Sequence, residues 1–182
     1  MKYNPDVHNR RSIRLKEYDY SQAGGYFVTI CTHKGECLLG EVVNGKMVLN
    51  EYGKIAQDEW LKTEQMRKNI EMDEFLVMPN HVHGIIIIMD NGRGTLQCAP
   101  TVEQFAKPVS NSIPTIIRLF KSATTKRINQ IRHTPRIHVW QRNYYEHVIR
   151  NEDDLRQIRE YVLYNQLKWE LDEENPKNIK RL

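Results

Sequence analysis

Apolar residues recur along this chain with two different periods, and each change of period marks an element. Tyr26-Phe27-Val28-Thr29-Ile30-Cys31-Thr32, set off by Gly24-Gly25, has the β-branched and aromatic content of a strand. Segments 38–43 and 46–49 flank Asn44-Gly45, a strong two-residue hairpin signal. From 51 to 68 the spacing becomes helical, with Asn50 placed to cap the first turn. Tyr52, Ile55, Ala56, Trp60 and Leu61 form the expected buried stripe of that helix. Residues 70–78 predict another strand, turning at Pro79-Asn80 into His81-Val82-His83-Gly84-Ile85-Ile86-Ile87-Ile88. Both faces of this last segment are apolar beyond His83, which places it centrally in its sheet.

Periodicity is then lost. Residues 91–112 hold Asn91-Gly92-Arg93-Gly94, Pro100 and Pro108, and predict a long irregular insertion. Helical spacing returns over 113–131 through Ile116, Ile117, Phe120 and Ala123, with Arg118, Lys121, Lys126 and Arg127 on the polar side. Segment 137–140 predicts a short edge strand. Asn151 can cap a final helix whose first turn is acidic and whose stripe is Leu155, Ile158 and Val162. The charged tail, 170–182, contains Pro176 and is expected to fray.

The length of 182 residues suits one domain spanning 1–182, with a basic N-terminal arm over 1–22. Hydrophobic residues make up 40% and charged residues 27%, the balance of a soluble globular chain. The longest apolar run falls far short of a bilayer span, and the first residues lack a signal-peptide core, so no membrane partner is expected. Cys31, Cys37 and Cys98 are odd in number, which with the missing leader predicts a reducing, cytoplasmic setting. Their spacing lacks the paired ligands of a structural zinc site. A net charge of +4 permits a nucleic-acid partner without requiring one.

Chemistry concentrates at three places. His81 and His83 are two apart on a strand and share one face, so they can give two ligands to a single ion. Tyr161 and Asn165 are four apart on the last helix, on one flank of its stripe. The Asn165 amide oxygen can supply a third ligand, and such a mixed nitrogen and oxygen set suits Mg2+ or Mn2+ in phosphoryl transfer. A phenol beside a phosphate held there can attack it, leaving a phosphotyrosine link and a 3′ hydroxyl. Tyr164, one turn on, is a rival nucleophile rotated away from the Asn165 flank. The third place is Gln141-Arg142-Asn143-Tyr144-Tyr145-Glu146-His147-Val148-Ile149-Arg150, where rings can stack on bases while guanidinium groups meet phosphates. Arg142, Arg118, Lys121, Tyr144 and Arg150 are the candidate DNA contacts.

Met78-Pro79-Asn80-His81-Val82-His83 resembles the signature of the HUH single-tyrosine nucleases. The segments Trp140-Gln141-Arg142-Asn143-Tyr144-Tyr145-Glu146-His147-Val148-Ile149-Arg150-Asn151 and Arg159-Glu160-Tyr161-Val162-Leu163-Tyr164-Asn165-Gln166-Leu167-Lys168 resemble the C-terminal motifs of one branch, the REP-associated tyrosine transposases. The resemblance runs from about Arg10 to Trp169. It implies a ferredoxin-like (RRM-like) α+β fold, an antiparallel sheet with helices on it, as in the HUH nucleases. It implies an enzyme that cleaves and rejoins single-stranded DNA at hairpin-associated sites through a 5′-phosphotyrosine. His81 and His83 match the histidine ligands and Tyr161 the nucleophile. Asn165 stands where the superfamily often has a glutamine ligand. Relatives commonly read Asn-Pro where this chain has Asn165-Gln166, a change expected to let the helix run further. The partner is then hairpin-bearing single-stranded DNA, and the oligomeric state is that of a monomer or a homodimer, since relatives differ. Two other roles use the same residues: a replication-initiation or mobilisation nuclease, and a hairpin-binding module that does not cut.

Overall fold

The computed structural model describes residues 18–90, 109–172 and 174–178. Most of the predicted basic arm and of the 91–112 insertion therefore lies outside the described residues. Six strands and three α-helices follow in chain order: β1 (Gly24–Cys31), β2 (Gly40–Val43), β3 (Lys46–Leu49), α1 (Glu51–Gln65), β4 (Ile70–Val77), β5 (His81–Ile88), α2 (Ile113–Ile131), β6 (Tyr145–Ile149) and α3 (Glu152–Tyr164). The main sheet has the order β4-β5-β1-β6, with every neighbouring pair antiparallel. With α1 between β1 and β4, and α2 between β5 and β6, this is the ferredoxin-like βαββαβ arrangement. The β2–β3 hairpin is an insertion before α1, and its Asn44-Gly45 turn has both φ angles positive, 51° and 72°, as the right-handed strand twist favours.

Strand alternation divides the core in two. Tyr26, Val28, Ile30, Val82 and Ile86 face α1 and α2 and pack with Ile55, Trp60, Ile116, Ile117 and Phe120. Phe27 and Ile85 face the other way, onto Val162, Leu155 and Ile158 of α3. Gly84 lies on the α1 side, where a Cβ would come within 2.1 Å of the Trp60 ring. Glycine there lets the indole sit directly on β5. Arg127 clamps α2 to α1 through Glu59 at 2.6 Å and Asp58 at 3.3 Å.

Several expectations are corrected. Leu61 is exposed, because it lies about 100° around α1 from Trp60, which occupies the core position. Residues 137–140 form a single bridge, Thr32 to Trp140, and not a strand. The edge strand lies further on, in β6, within the segment whose composition had pointed to a binding surface. After α3 the α-helix does not run on past Tyr164: residues Asn165–Leu171 tighten into a 3-10 helix. The Gln166 side chain accepts from the Met47 N–H at 3.0 Å and Asn165 turns inward, so tertiary bonds outweigh continuation of the α-helix. The tail does not fray as far as Asn178. Asn175 is buried and donates to the Trp169 carbonyl, while Asn80 donates to the Glu174 carbonyl at 2.6 Å.

Candidate active site

The site is built where β5 begins, on the α3 face of the sheet. His83 pairs with Thr29 and His81 with Cys31 across β1, and both imidazoles are buried. Their rings meet edge to face, with centroids 4.3 Å apart. α3 crosses this face and is anchored by Arg159, which holds Asp73 of β4 through its Nε at 3.0 Å and a second nitrogen at 2.6 Å. Asp73 sits at the register shift of β4 between Met72 and Phe75, where the ladder gives way and its side chain is free to meet the helix. Arg159 is two positions before Tyr161, so this clamp also fixes how far along the strands the tyrosine sits.

Tyr161 rises over His83, with its hydroxyl 3.4 Å from Nε2 and the ring centroids 5.1 Å apart. Phe27 closes the other side, stacked on His83 at 5.5 Å and edge-on to Tyr161 at 6.0 Å. Tyr161 remains 47% exposed, so its side chain can be reached from solvent. Tyr164 is also exposed but makes no hydrogen bond to either histidine among the described residues, in line with its rotation around α3.

The His81 tautomer follows from its neighbours. The Asn80 amide nitrogen donates to the Gly35 and Glu174 carbonyls, which leaves its oxygen to accept from His81 Nδ1–H at 2.9 Å. His81 Nε2 is then a bare acceptor, buried and without a partner among the described residues. His83 Nδ1 meets the Thr29 hydroxyl at 2.9 Å, which directs its Nε2 toward Tyr161. Burial pushes the His81 pKa down to about 3 and holds that of His83 well below the usual imidazole range, with the neighbouring His81 adding to the effect. Both rings are therefore neutral at pH 7, with lone pairs available.

Asp172, in the turn after the 3-10 helix, brings a carboxylate oxygen to this point. One ring nitrogen from each histidine and that oxygen lie within 4.8 Å of one another. Asn165 is also drawn in, 3% exposed, donating from Nδ2 to Asp172 at 3.0 Å while its Oδ1 has no partner among the described residues. The orphaned Nε2 of His81 and Oδ1 of Asn165, with the neutral His83 ring and the Asp172 carboxylate, make a donor set that fits a divalent cation. Among the described residues, no cysteine belongs to this group. Asp172 was missed in the sequence because it falls in a tail expected to fray. The signal was its turn chemistry: Asp172 accepts from the Glu174 N–H at 2.7 Å, and Asn175-Pro176 follows.

The candidate DNA contacts are dispersed. Lys121 donates to the Gln141 and Asn143 carbonyls at 2.9 and 2.8 Å, clamping the loop before β6. Tyr144 lies half-buried beneath that ammonium and against the α1–α2 core. Arg118 is exposed on α2, on the sheet face away from the histidines. Arg142 and Arg150 are exposed on either side of β6, and the Arg150 N–H caps onto Asp154 at 3.1 Å. No described helix is long and apolar enough to cross a membrane.

No family model matches the chain. A protein of Haemophilus influenzae, described as uncharacterized, is 42% identical over 176 residues, covering 94% of this chain and 96% of its own. Among solved structures, that of a REP-associated tyrosine transposase bound to a REP hairpin superposes with a TM-score of 0.60 at 19% identity. It covers 87% of this chain and 74% of that one, and the likeness is one of fold.

Proposed function

The chain belongs to the family of the Haemophilus influenzae protein and has a REP-associated tyrosine transposase-like fold, and from that premise we infer that it cleaves and rejoins single-stranded DNA as a single-tyrosine transposase. The observation that carries this reading is the Tyr161 hydroxyl, 3.4 Å from His83 above a pair of buried neutral histidines and a carboxylate. His81, His83 and Asp172 would hold a divalent ion, Mg2+ or Mn2+, with the free Asn165 oxygen as a further ligand. Such an ion, when bound, withdraws charge from the scissile phosphate and fixes its orientation.

The chain's own groups supply the rest. Asn80 holds His81 in the tautomer that presents a lone pair to the site, and Thr29 fixes the orientation of the His83 ring. Arg159 and Asp73 set the position of Tyr161 along the sheet. Tyr161 Oη attacks phosphorus, so a P–Oη bond forms while the bond to the 3′ oxygen breaks. The phenol proton passes to solvent, which the half-exposed ring meets, and the departing 3′ oxygen takes one up. The product is a 5′-phosphotyrosine, and attack by a 3′ hydroxyl on that link rejoins a strand. Hairpin DNA is the proposed substrate class.

The test uses labelled hairpin DNA with single-stranded extensions, taken from sequence flanking the gene, and a denaturing gel. The reading predicts an adduct that needs Mg2+ or Mn2+ and vanishes in Tyr161→Phe. An adduct that persists in Tyr161→Phe contradicts the assigned nucleophile, and DNA binding without any adduct favours a binding module.

A further inference from the structure

We propose that Tyr145, and not the neighbouring Tyr144, is a stacking platform for a nucleobase of the strand that reaches Tyr161; this rests on the DNA-cleavage reading above. Strand alternation sends the two tyrosines to opposite sides of the sheet. Tyr144 is spent on packing beneath Lys121 and against the α1–α2 core. Tyr145, the first residue of β6, points to the histidine side, where its ring is edge-on to Phe27 at 6.4 Å and 53% exposed. Phe27 is the same ring that touches Tyr161 at 6.0 Å and His83 at 5.5 Å. One aromatic side chain thus separates an open tyrosine face from the proposed nucleophile and ligand.

The surroundings leave room for a base. Among the described residues β6 is the last strand of the sheet, and none of them pairs with its outer edge. α3 packs on the same face but chiefly on β4 and β5, toward the opposite edge of the sheet. Exposed Arg142 precedes Tyr145 and exposed Arg150 follows β6, so cations lie at both ends of the strand for the phosphates. An exposed tyrosine ring offers a π face to any base, and flanking guanidinium groups carry the backbone. A solvent-facing tyrosine on an edge strand adds little to folding, and the Phe27 contact needs only an apolar side chain. Stacking on a base requires an aromatic one.

The experiment compares wild type, Tyr145→Phe, Tyr145→Leu and Tyr144→Phe on hairpin DNA with single-stranded extensions, with 2-aminopurine placed at successive extension positions. Fluorescence reports stacking and anisotropy reports affinity across a salt series, while the adduct gel runs in parallel. Expected are quenching at one position in wild type and Tyr145→Phe, and its loss in Tyr145→Leu. Tyr145→Leu should also weaken binding at least about fivefold, with the salt slope and thermal stability unchanged. If Tyr145→Leu binds and quenches as wild type while wild type forms the adduct, the stacking role is overturned and the cleavage reading stands. If wild type stacks the base through Tyr145 but forms no adduct, the cleavage reading falls and the platform stands. A wild-type protein that does not bind the DNA overturns both.

Discussion

Adding one methyl group at Gly84 tests how the sheet positions the histidines. In Gly84→Ala the new Cβ would lie 2.1, 2.7 and 2.9 Å from three ring atoms of Trp60. Real contacts do not come that close, so either the indole or β5 must move. The indole has little freedom: it is buried, stacked on Phe75 at 6.1 Å and edge-on to Phe120 at 5.5 Å. Overpacking of this kind costs about 1–3 kcal/mol, which lowers the melting temperature of a domain this size by roughly 2–12 °C. Displacement of β5 would also move His83, the next residue along. The assay is urea unfolding of Gly84→Ala, Trp60→Leu and the double variant, with Mn2+ affinity measured alongside. Trp60→Leu alone loses a large buried side chain, but it opens the space that the methyl group needs. The penalty of Gly84→Ala should therefore shrink by at least about 1 kcal/mol in the Trp60→Leu background. A Gly84→Ala variant within about 0.5 kcal/mol of wild type, or strict additivity of the two changes, would refute the reasoning.

Other predictions follow from the same geometry. His81 titrates near 3 when folded and near 6.5 when unfolded, so the unfolded chain binds more protons between those values and stability is lost as pH falls below 6.5. In chelator, moving from pH 6.5 to 5 should cost roughly 2 kcal/mol for this group alone; unchanged urea midpoints would contradict it. Asp172→Ala should weaken Mn2+ binding at least about tenfold by titration calorimetry, with secondary structure retained. Arg159→Ala should change stability by no more than about 1 kcal/mol, since the pair is partly exposed, yet slow adduct formation about tenfold or more by misplacing Tyr161. Equal single-turnover rates would count against that positioning role.

The parts of the site legible in the sequence are those that a regular period fixes. Alternation along β5 put His81 and His83 on one face, and the cap at Asn151 with the stripe Leu155, Ile158 and Val162 set the phase of Tyr161. The ferredoxin-like order was an implication of the motif resemblance, and the sheet order β4-β5-β1-β6 agrees with it. What escaped depends on tertiary hydrogen bonds. Asp172 joins the histidines only because the chain tightens into a 3-10 helix after Tyr164 and the tail docks through Asn80 and Asn175. Local pattern marks a turn at Asp172 but not the distant partner, Asn80, that docks the tail. β6 escaped for a different reason: as an edge strand it is only half-buried on either face, so its alternation is weak. Lys121 shows a third limit, because nothing local in the sequence tells that this lysine clamps two carbonyls.

The central claim is that Tyr161 becomes covalently joined to DNA. It is tested most directly by trapping the adduct, digesting the DNA to a short remnant and locating that remnant by tandem mass spectrometry. Tyr161 and Tyr164 fall in one tryptic peptide, 160–168, so fragment ions separate them. The account predicts the mass of a phosphate-linked remnant on Tyr161 alone. A remnant on Tyr164, or on any residue outside this peptide, would contradict it.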